Sequence, residues 1–235
     1  MLFNIWDAGR ARAVAASGAV AIATGSWSVA AANGYADGEH VPLDLLIENL
    51  SRIVRATDLP VTVDIESGYG RTAGVVAETV ACTIEAGAIG CNLEDSFPES
   101  GTLRDVAEQV ERIRAARAVA EGMDVPYFIN ARTDVFFRPS YAHDDAAVEY
   151  ALERARAYAD AGADGLFAPG LVEAMLIARL AAVSSLPLNV MVTEKPPPQD
   201  RLSKAGVARC SHGPGPYRTV MKMLQDAAGA ASRRP

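Results

Sequence analysis

The chain has 235 residues, half of them apolar and 22% charged, with 22 basic against 29 acidic side chains and a formal charge of −7. That is enough apolar material for a large core. The acidic balance, with no basic cluster interleaved with aromatics, argues against a nucleic-acid partner.

In chain order, short β-forming runs alternate with helical ones. Residues 2–6 read as a strand and 8–17 as a helix. A strand at 20–24 is followed by a Gly/Ser/Ala-rich loop that runs to Asp37-Gly38, then a helix over about 42–56. Strand 61–66 precedes helix 72–86; strand 90–94 precedes a loop at 96–102 and a helix over 103–121. Strand 127–132 leads to helix 144–161, strand 165–168 to helix 172–183, and strand 188–192 to a Pro196-Pro197-Pro198 turn that opens a short helix. Strand 207–211 and helix 217–228 come last. The strands read as continuous apolar runs, as in a parallel sheet covered on both faces. Gly87, Gly162 and Gly206 fall where a helix turns into the next strand. Eight such units predict an α/β fold, a (β/α)8 TIM barrel forming one domain over 1–235. The rival, a doubly wound open sheet, lacks a GxGxxG or GxxxxGK[ST] signature after the first strand.

The uncharged stretch 13–36, preceded by Arg10 and Arg12, bears a faint likeness to an export signal. It is mostly Ala, Gly, Ser and Thr, and Asp7 lies in its flank, so neither export nor a membrane span is expected. Cys82, Cys91 and Cys210 are widely spaced in apolar surroundings, which predicts buried free thiols and a cytoplasmic location.

The chemistry concentrates at predicted strand ends. Asp64 and Glu66 lie two apart, on one side of a strand. Glu94 and Asp95 end the next apolar run. Four carboxylates so placed repel one another unless a cation sits among them. Oxygen donors without His or Cys favour a hard ion, Mg2+ or Mn2+. Solvated loop acids or helix N-caps are the other reading of the same residues. In a barrel, the strand-end positions also hold Thr24-Gly25-Ser26, Arg132, Asn189 and the loop Ser211-His212-Gly213. An ion pair with Asp134 or Glu94 is the alternative role for Arg132.

The segments Asn4-Ile-Trp-Asp-Ala8, Ala23-Thr-Gly-Ser26, Val63-Asp-Ile-Glu-Ser-Gly-Tyr-Gly70, Asn92-Leu-Glu-Asp95, Ile129-Asn-Ala-Arg-Thr-Asp134, Ala163-Asp-Gly-Leu-Phe-Ala-Pro-Gly-Leu171 and Pro187-Leu-Asn-Val190 occur in that order over nearly the whole chain. Together they resemble the isocitrate lyase/phosphoenolpyruvate mutase superfamily. The resemblance implies a barrel that binds Mg2+ and a small 2-oxo or 2-hydroxy carboxylate and works through an enolate. It implies Asp64 as direct metal ligand, with Glu66 and Glu94 holding metal-bound waters. It implies substrate binding by Thr24, Gly25, Ser26, Asn189 and Arg132, and a catalytic role for Arg132 and for Asp37, which closes near the substrate in the mutase branch. It further implies a homodimer or homotetramer.

The chain departs from the family at residues 96–102, Ser-Phe-Pro-Glu-Ser-Gly-Thr, a short candidate gating loop. The lyase branch has a Lys-Lys/Arg-Cys-Gly-His loop here, and the mutase branch a Lys-x-Asn-Ser pattern; neither is present. His212, Tyr69, Glu99 and Tyr217 are the candidates for the missing proton carrier. His212 suits transfer near neutrality and sits in a loop before a helix. C–C cleavage or decarboxylation is the leading expectation. C–P chemistry on phosphonopyruvate and a non-catalytic metabolite-binding barrel are the alternatives.

Overall fold

The computed structural model describes residues 1–137, 142–192 and 199–232. The expected Pro196–Pro198 turn lies outside them.

Eight strands stand in chain order: β1 (Asn4–Ile5), β2 (Ile22–Thr24), β3 (Val61–Asp64), β4 (Gly90–Glu94), β5 (Phe128–Arg132), β6 (Gly165–Ala168), β7 (Leu188–Met191) and β8 (Val207–Ser211). Every neighbouring pair is parallel. The ring closes through one bridge, Leu2 to Ser211, where the Leu2 N–H donates to the Cys210 carbonyl at 2.9 Å. This is the expected (β/α)8 barrel.

Nine helices surround the strands among the described residues: α1 (Ala8–Ala16), α2 (Ser26–Asn33), α3 (Leu43–Val54), α4 (Ala73–Glu85), α5 (Val106–Gly122), α6 (Asp145–Asp160), α7 (Ala174–Val183), α8 (Gln199–Lys204) and α9 (Gly215–Ser232). The side chains of Asp7, Thr72 and Asp144 cap α1, α4 and α6 by accepting N–H bonds of their first turns. Gly87, Gly162 and Gly206 have φ of +94°, +98° and +85°, the left-handed exit expected of them.

Helix α2 replaces the loop expected after β2. Extended Gly25 opens it without a side-chain cap, and Gly34, at φ +79°, closes it. It buries Ser28, Val29 and Ala30, so packing rather than an amphipathic stripe holds it. The uncharged stretch 13–36 thus contributes the end of α1, all of β2 and all of α2.

The strands also differ from continuous apolar runs. Val61, Val63, Leu93, Ile129, Leu188 and Val190 are buried and apolar, but they alternate with buried Thr62, Asp64, Asn92, Glu94, Asn130 and Asn189. The period of two places one set toward the helices and the other inside the barrel. Cys91 and Cys210 are buried free thiols, whereas Cys82 is only half-buried. No helix among the described residues is long and apolar enough to cross a membrane.

Candidate active site

At the carboxyl ends of the strands a cavity of about 370 Å³ opens among Gly25, Ser26, Asp37, Asp64, Asn92 and Arg132. Thr24 lies behind its wall. The Thr24 Oγ1 accepts the Asp64 N–H at 2.9 Å, and its carbonyl accepts the Asn4 side-chain amide at 2.8 Å. Thr24 therefore positions Asp64, where contact with substrate was expected. Asn4 Oδ1 in turn accepts the N–H groups of His212 and Gly213 at 2.8 and 2.9 Å. One asparagine thus ties β1 and β2 to the loop after β8.

Asp64 faces the cavity. Its Oδ1 accepts the Glu66 N–H at 3.2 Å, and its Oδ2 lies 3.5 Å from the Ser26 N–H. Asp37 borders the same space from the loop after α2. Desolvation and the charge of Asp64 push its carboxyl up, against the pull of Arg132 and a hydrogen bond from the Ser26 side chain. Glu66 does not line the cavity. Its Oε2 accepts the Gly38 and Glu39 N–H groups at 2.7 and 2.8 Å, which pins the loop carrying Asp37. Burial, with Asp37 and Asp64 nearby, pushes the Glu66 carboxyl up to about 8.

Arg132 bonds Glu94 through Nη1 at 2.7 Å, and Asp134 through Nε at 2.6 Å and Nη2 at 3.2 Å. The ion pairs given as its alternative role are therefore present. They use three of the five guanidinium N–H groups and leave two for a ligand. Burial disfavours its charge, but Asp134, Glu94 and Asp64 outweigh that and hold it protonated. Burial pushes Glu94 upward while Arg132 opposes. Behind them, fully buried Asp95 accepts from Arg154 at 3.0 Å, from the Tyr158 hydroxyl at 2.8 Å and from the Asp134 N–H at 2.9 Å.

The four strand-end acids are thus answered separately: Glu94 by Arg132, Asp95 by Arg154, Glu66 by backbone donors. Asp64, with Asp37, is what remains open to the cavity. Among the described residues no three acid, imidazole or thiol side chains converge as a ready metal cage. A hard ion that keeps several waters and takes one or two carboxylates would fit this donor set, and Asp64 is the carboxylate that could hold it directly. Glu66 and Glu94 are not among the residues that line the cavity.

Other expected positions move. The Gly25 N–H is bonded to the Ile5 carbonyl at 3.2 Å and the Ser26 N–H faces Asp64, so the donor left at the start of α2 among the described residues is the Trp27 N–H. Buried Asn189 bonds the Ser211 hydroxyl at 3.1 Å and does not reach the cavity; Ser211 does. His212 packs on Phe3, ring centroids 4.9 Å apart, and borders a second space of about 820 Å³. Burial lowers its pKa, and its buried Nε2 has no hydrogen-bond partner. The chain direction after β8 turns Gly213 and Pro214 toward Asp64, and His212 away from it.

The 96–102 loop is a short hairpin, closed by a Ser96–Leu103 bridge and a 2.9 Å bond from the Phe97 N–H to the Thr102 carbonyl. The Arg104 guanidinium sits 3.9 Å over the Phe97 ring. With Tyr69 and Glu99 it borders a separate space of about 230 Å³. Asn4, Asn92, Trp27 and Arg218 line the main cavity without having been singled out. Asn4 and Asn92 were findable, as polar residues inside motif strands; nothing local marks Trp27 or Arg218.

A parallel eight-stranded barrel with acids and a guanidinium around a cavity at its C-terminal mouth is the architecture of a TIM-barrel enzyme. The chain belongs to the phosphoenolpyruvate phosphomutase family, whose profile matches residues 1–231, within the isocitrate lyase/phosphoenolpyruvate mutase superfamily. It is similar to a Burkholderia cenocepacia protein of known structure, provisionally named a phosphonomutase: 62% identity, TM-score 0.94, covering 97% of this chain and 92% of that one. It is 35% identical to the 2-methylisocitrate lyase of Salmonella typhimurium over 65% of this chain and 51% of the relative. It is 30% identical to the oxaloacetate decarboxylase of Pseudomonas savastanoi pv. phaseolicola over 79% of this chain and 63% of the relative. The chain therefore spans about half to two thirds of the length of these two enzymes.

Proposed function

We propose that the chain is a Mg2+-dependent lyase that acts on a small 2-oxo or 2-hydroxy carboxylate through an enolate, by C–C cleavage or decarboxylation. The observation that carries this is the meeting of Asp64, two unused N–H groups of Arg132 and the open start of α2 in one cavity of about 370 Å³. That volume suits a molecule of a few carbons. Bound at Asp64, Mg2+ would supply Lewis-acid stabilisation of developing negative charge. Arg132 orients and stabilises the substrate oxygens by paired hydrogen bonds. The Trp27 N–H, at the positive end of α2, receives a carboxylate, while the Ser26 N–H faces Asp64. Phe137, Phe167 and Pro169 supply apolar wall that limits water. Asp37, whose carboxyl is pushed upward, is the cavity acid suited to hold a proton. The 2-methylisocitrate lyase and oxaloacetate decarboxylase relatives support the carboxylate class. C–P chemistry on phosphonopyruvate is the second reading, favoured by the family's name, while Glu99 stands where the mutase loop would carry a basic residue. A homodimer or homotetramer is part of the proposal; exposed Met223 and Leu224 on α9 support it, and gel filtration at the monomer mass would remove it.

Calorimetric binding of oxalate, an enolpyruvate mimic, tests the site. Binding should require Mg2+ and weaken by about 100-fold or more in Asp64→Ala, as expected when a direct metal ligand is lost. Binding indifferent to both would leave the carboxylates structural. A screen of 2-oxo and 2-hydroxy acids for carbon dioxide or oxo-acid release then separates decarboxylation from C–C cleavage.

A further inference from the structure

Two arginines line the main cavity, Arg132 mostly buried within it and Arg218 exposed at the border with the second space of about 820 Å³, and they differ in what they hold. Arg132 bonds two carboxylates. Arg218, from the first turns of α9, has no acid within ion-pair range and no side-chain hydrogen bond among the described residues. Its contact is aromatic: the guanidinium carbon lies 4.9 Å from the centre of the Trp27 ring. Trp27 is itself placed by Tyr217, edge-on at 5.7 Å, and Tyr217 by Trp6, edge-on at 4.9 Å. A guanidinium stacked on an aromatic face keeps its edge N–H groups free for an anion.

The placement gives that freedom a use. Trp27 itself carries the N–H assigned to the substrate carboxylate, so the aromatic platform and that donor belong to one residue. Arg132 ends β5, and Arg218 follows β8, three strands further round the ring of eight. A substrate held by Arg132 and the start of α2 therefore has an uncommitted cation on another side of the same cavity. We propose that Arg218 is a specificity-determining residue, which binds a second anionic group at the far end of the substrate and selects 2-oxo and 2-hydroxy dicarboxylates over monocarboxylates of equal length. The inference rests on the carboxylate site proposed above.

The test uses three probes with Mg2+ present. Oxalate reports the near site alone. Malate and 2-hydroxybutyrate share a 2-hydroxy acid head and differ by a carboxylate in place of a methyl. Dissociation constants are measured on wild type, Arg218→Met and Arg218→Lys. Wild type should prefer malate by about 10- to 100-fold, the size of a hydrogen-bonded charge contact. Arg218→Met should erase that preference and leave oxalate binding within about threefold. Arg218→Lys should restore part of it, because ammonium supplies charge without the paired donors. If wild type shows no preference for malate, or Arg218→Met keeps it while still binding oxalate, the role of Arg218 is overturned and the carboxylate site stands. If wild type fails to bind oxalate, the carboxylate site falls, and this inference with it.

Discussion

Glu66 couples the site to pH. Its carboxyl has an ordinary value of 4.5 and is pushed up to about 8 by burial and by the charges of Asp37 and Asp64. Between those values the folded protein holds a proton that the unfolded chain has lost. Its contribution to stability is thus fully present below about pH 4.5 and is lost as pH rises through about 8. Glu66→Gln keeps an acceptor for the Gly38 and Glu39 N–H groups but cannot ionise. In metal-free buffer, wild-type Tm minus variant Tm should fall between pH 5 and 8 and level off above; a flat difference would show that Glu66 ionises normally in the fold. Asp64 and Arg132 were legible as cavity residues from their places at strand ends, and Asp37 from the family resemblance. The roles of Gly25 and Asn189 were not, since each depends on which partner the folded chain offers: the Ile5 carbonyl in one case, the Ser211 hydroxyl in the other. His212 was chosen for its titration range and its place in the loop after the last strand, neither of which says where its ring points.

The strands were readable because each is a short run of β-formers between turn residues, and three of the eight, β4, β6 and β8, have the expected bounds. Helix α2 was not, because Ser-Trp-Ser-Val-Ala-Ala-Ala-Asn has neither a charged face nor a capping side chain. Its one local signal was Asn33-Gly34, a helix exit. The join between β4 and α6 was equally hidden: Asp95 reads as one more strand-end acid until Arg154, from a helix 50 residues on, is seen to bond both its carboxylate and the Arg104 carbonyl, the latter at 2.8 Å. Both side chains of this pair are essentially inaccessible to water. Removing one charge leaves the other buried and uncompensated, at a cost of about 3–5 kcal/mol. Arg154→Met should lower the denaturant midpoint accordingly, and adding Asp95→Asn should recover part of the loss. A loss under about 1 kcal/mol would mean that water reaches Asp95 once the arginine is gone.

The barrel as a whole closes at its weakest seam beside its chemistry. The strand pairs from β1 to β8 are laddered, but β8 meets β1 by the single Leu2–Ser211 bridge. Asn4 adds to that seam with its side chain, accepting from His212 and Gly213 and donating to Thr24. The Thr24 hydroxyl then receives the Asp64 N–H, so closure of the ring and placement of the cavity carboxylate share one chain of hydrogen bonds. Asn4→Ala removes all three Asn4 bonds and leaves donors and an acceptor without partners. Each group that stays dry costs about 1–3 kcal/mol, so a total loss of at least about 2 kcal/mol is expected. Oxalate binding should weaken in the same variant, because the support under Thr24 and the loop at Gly213 loosen together. Asn4→Asp keeps the acceptor for both N–H groups and loses only the donor to Thr24. It should therefore retain more stability than Asn4→Ala, because the two N–H groups favour a carboxylate acceptor. Equal stability of Asn4→Ala and wild type by chemical unfolding would show that the seam is held elsewhere. A stability loss with unchanged oxalate affinity would separate closure of the ring from the geometry of the site.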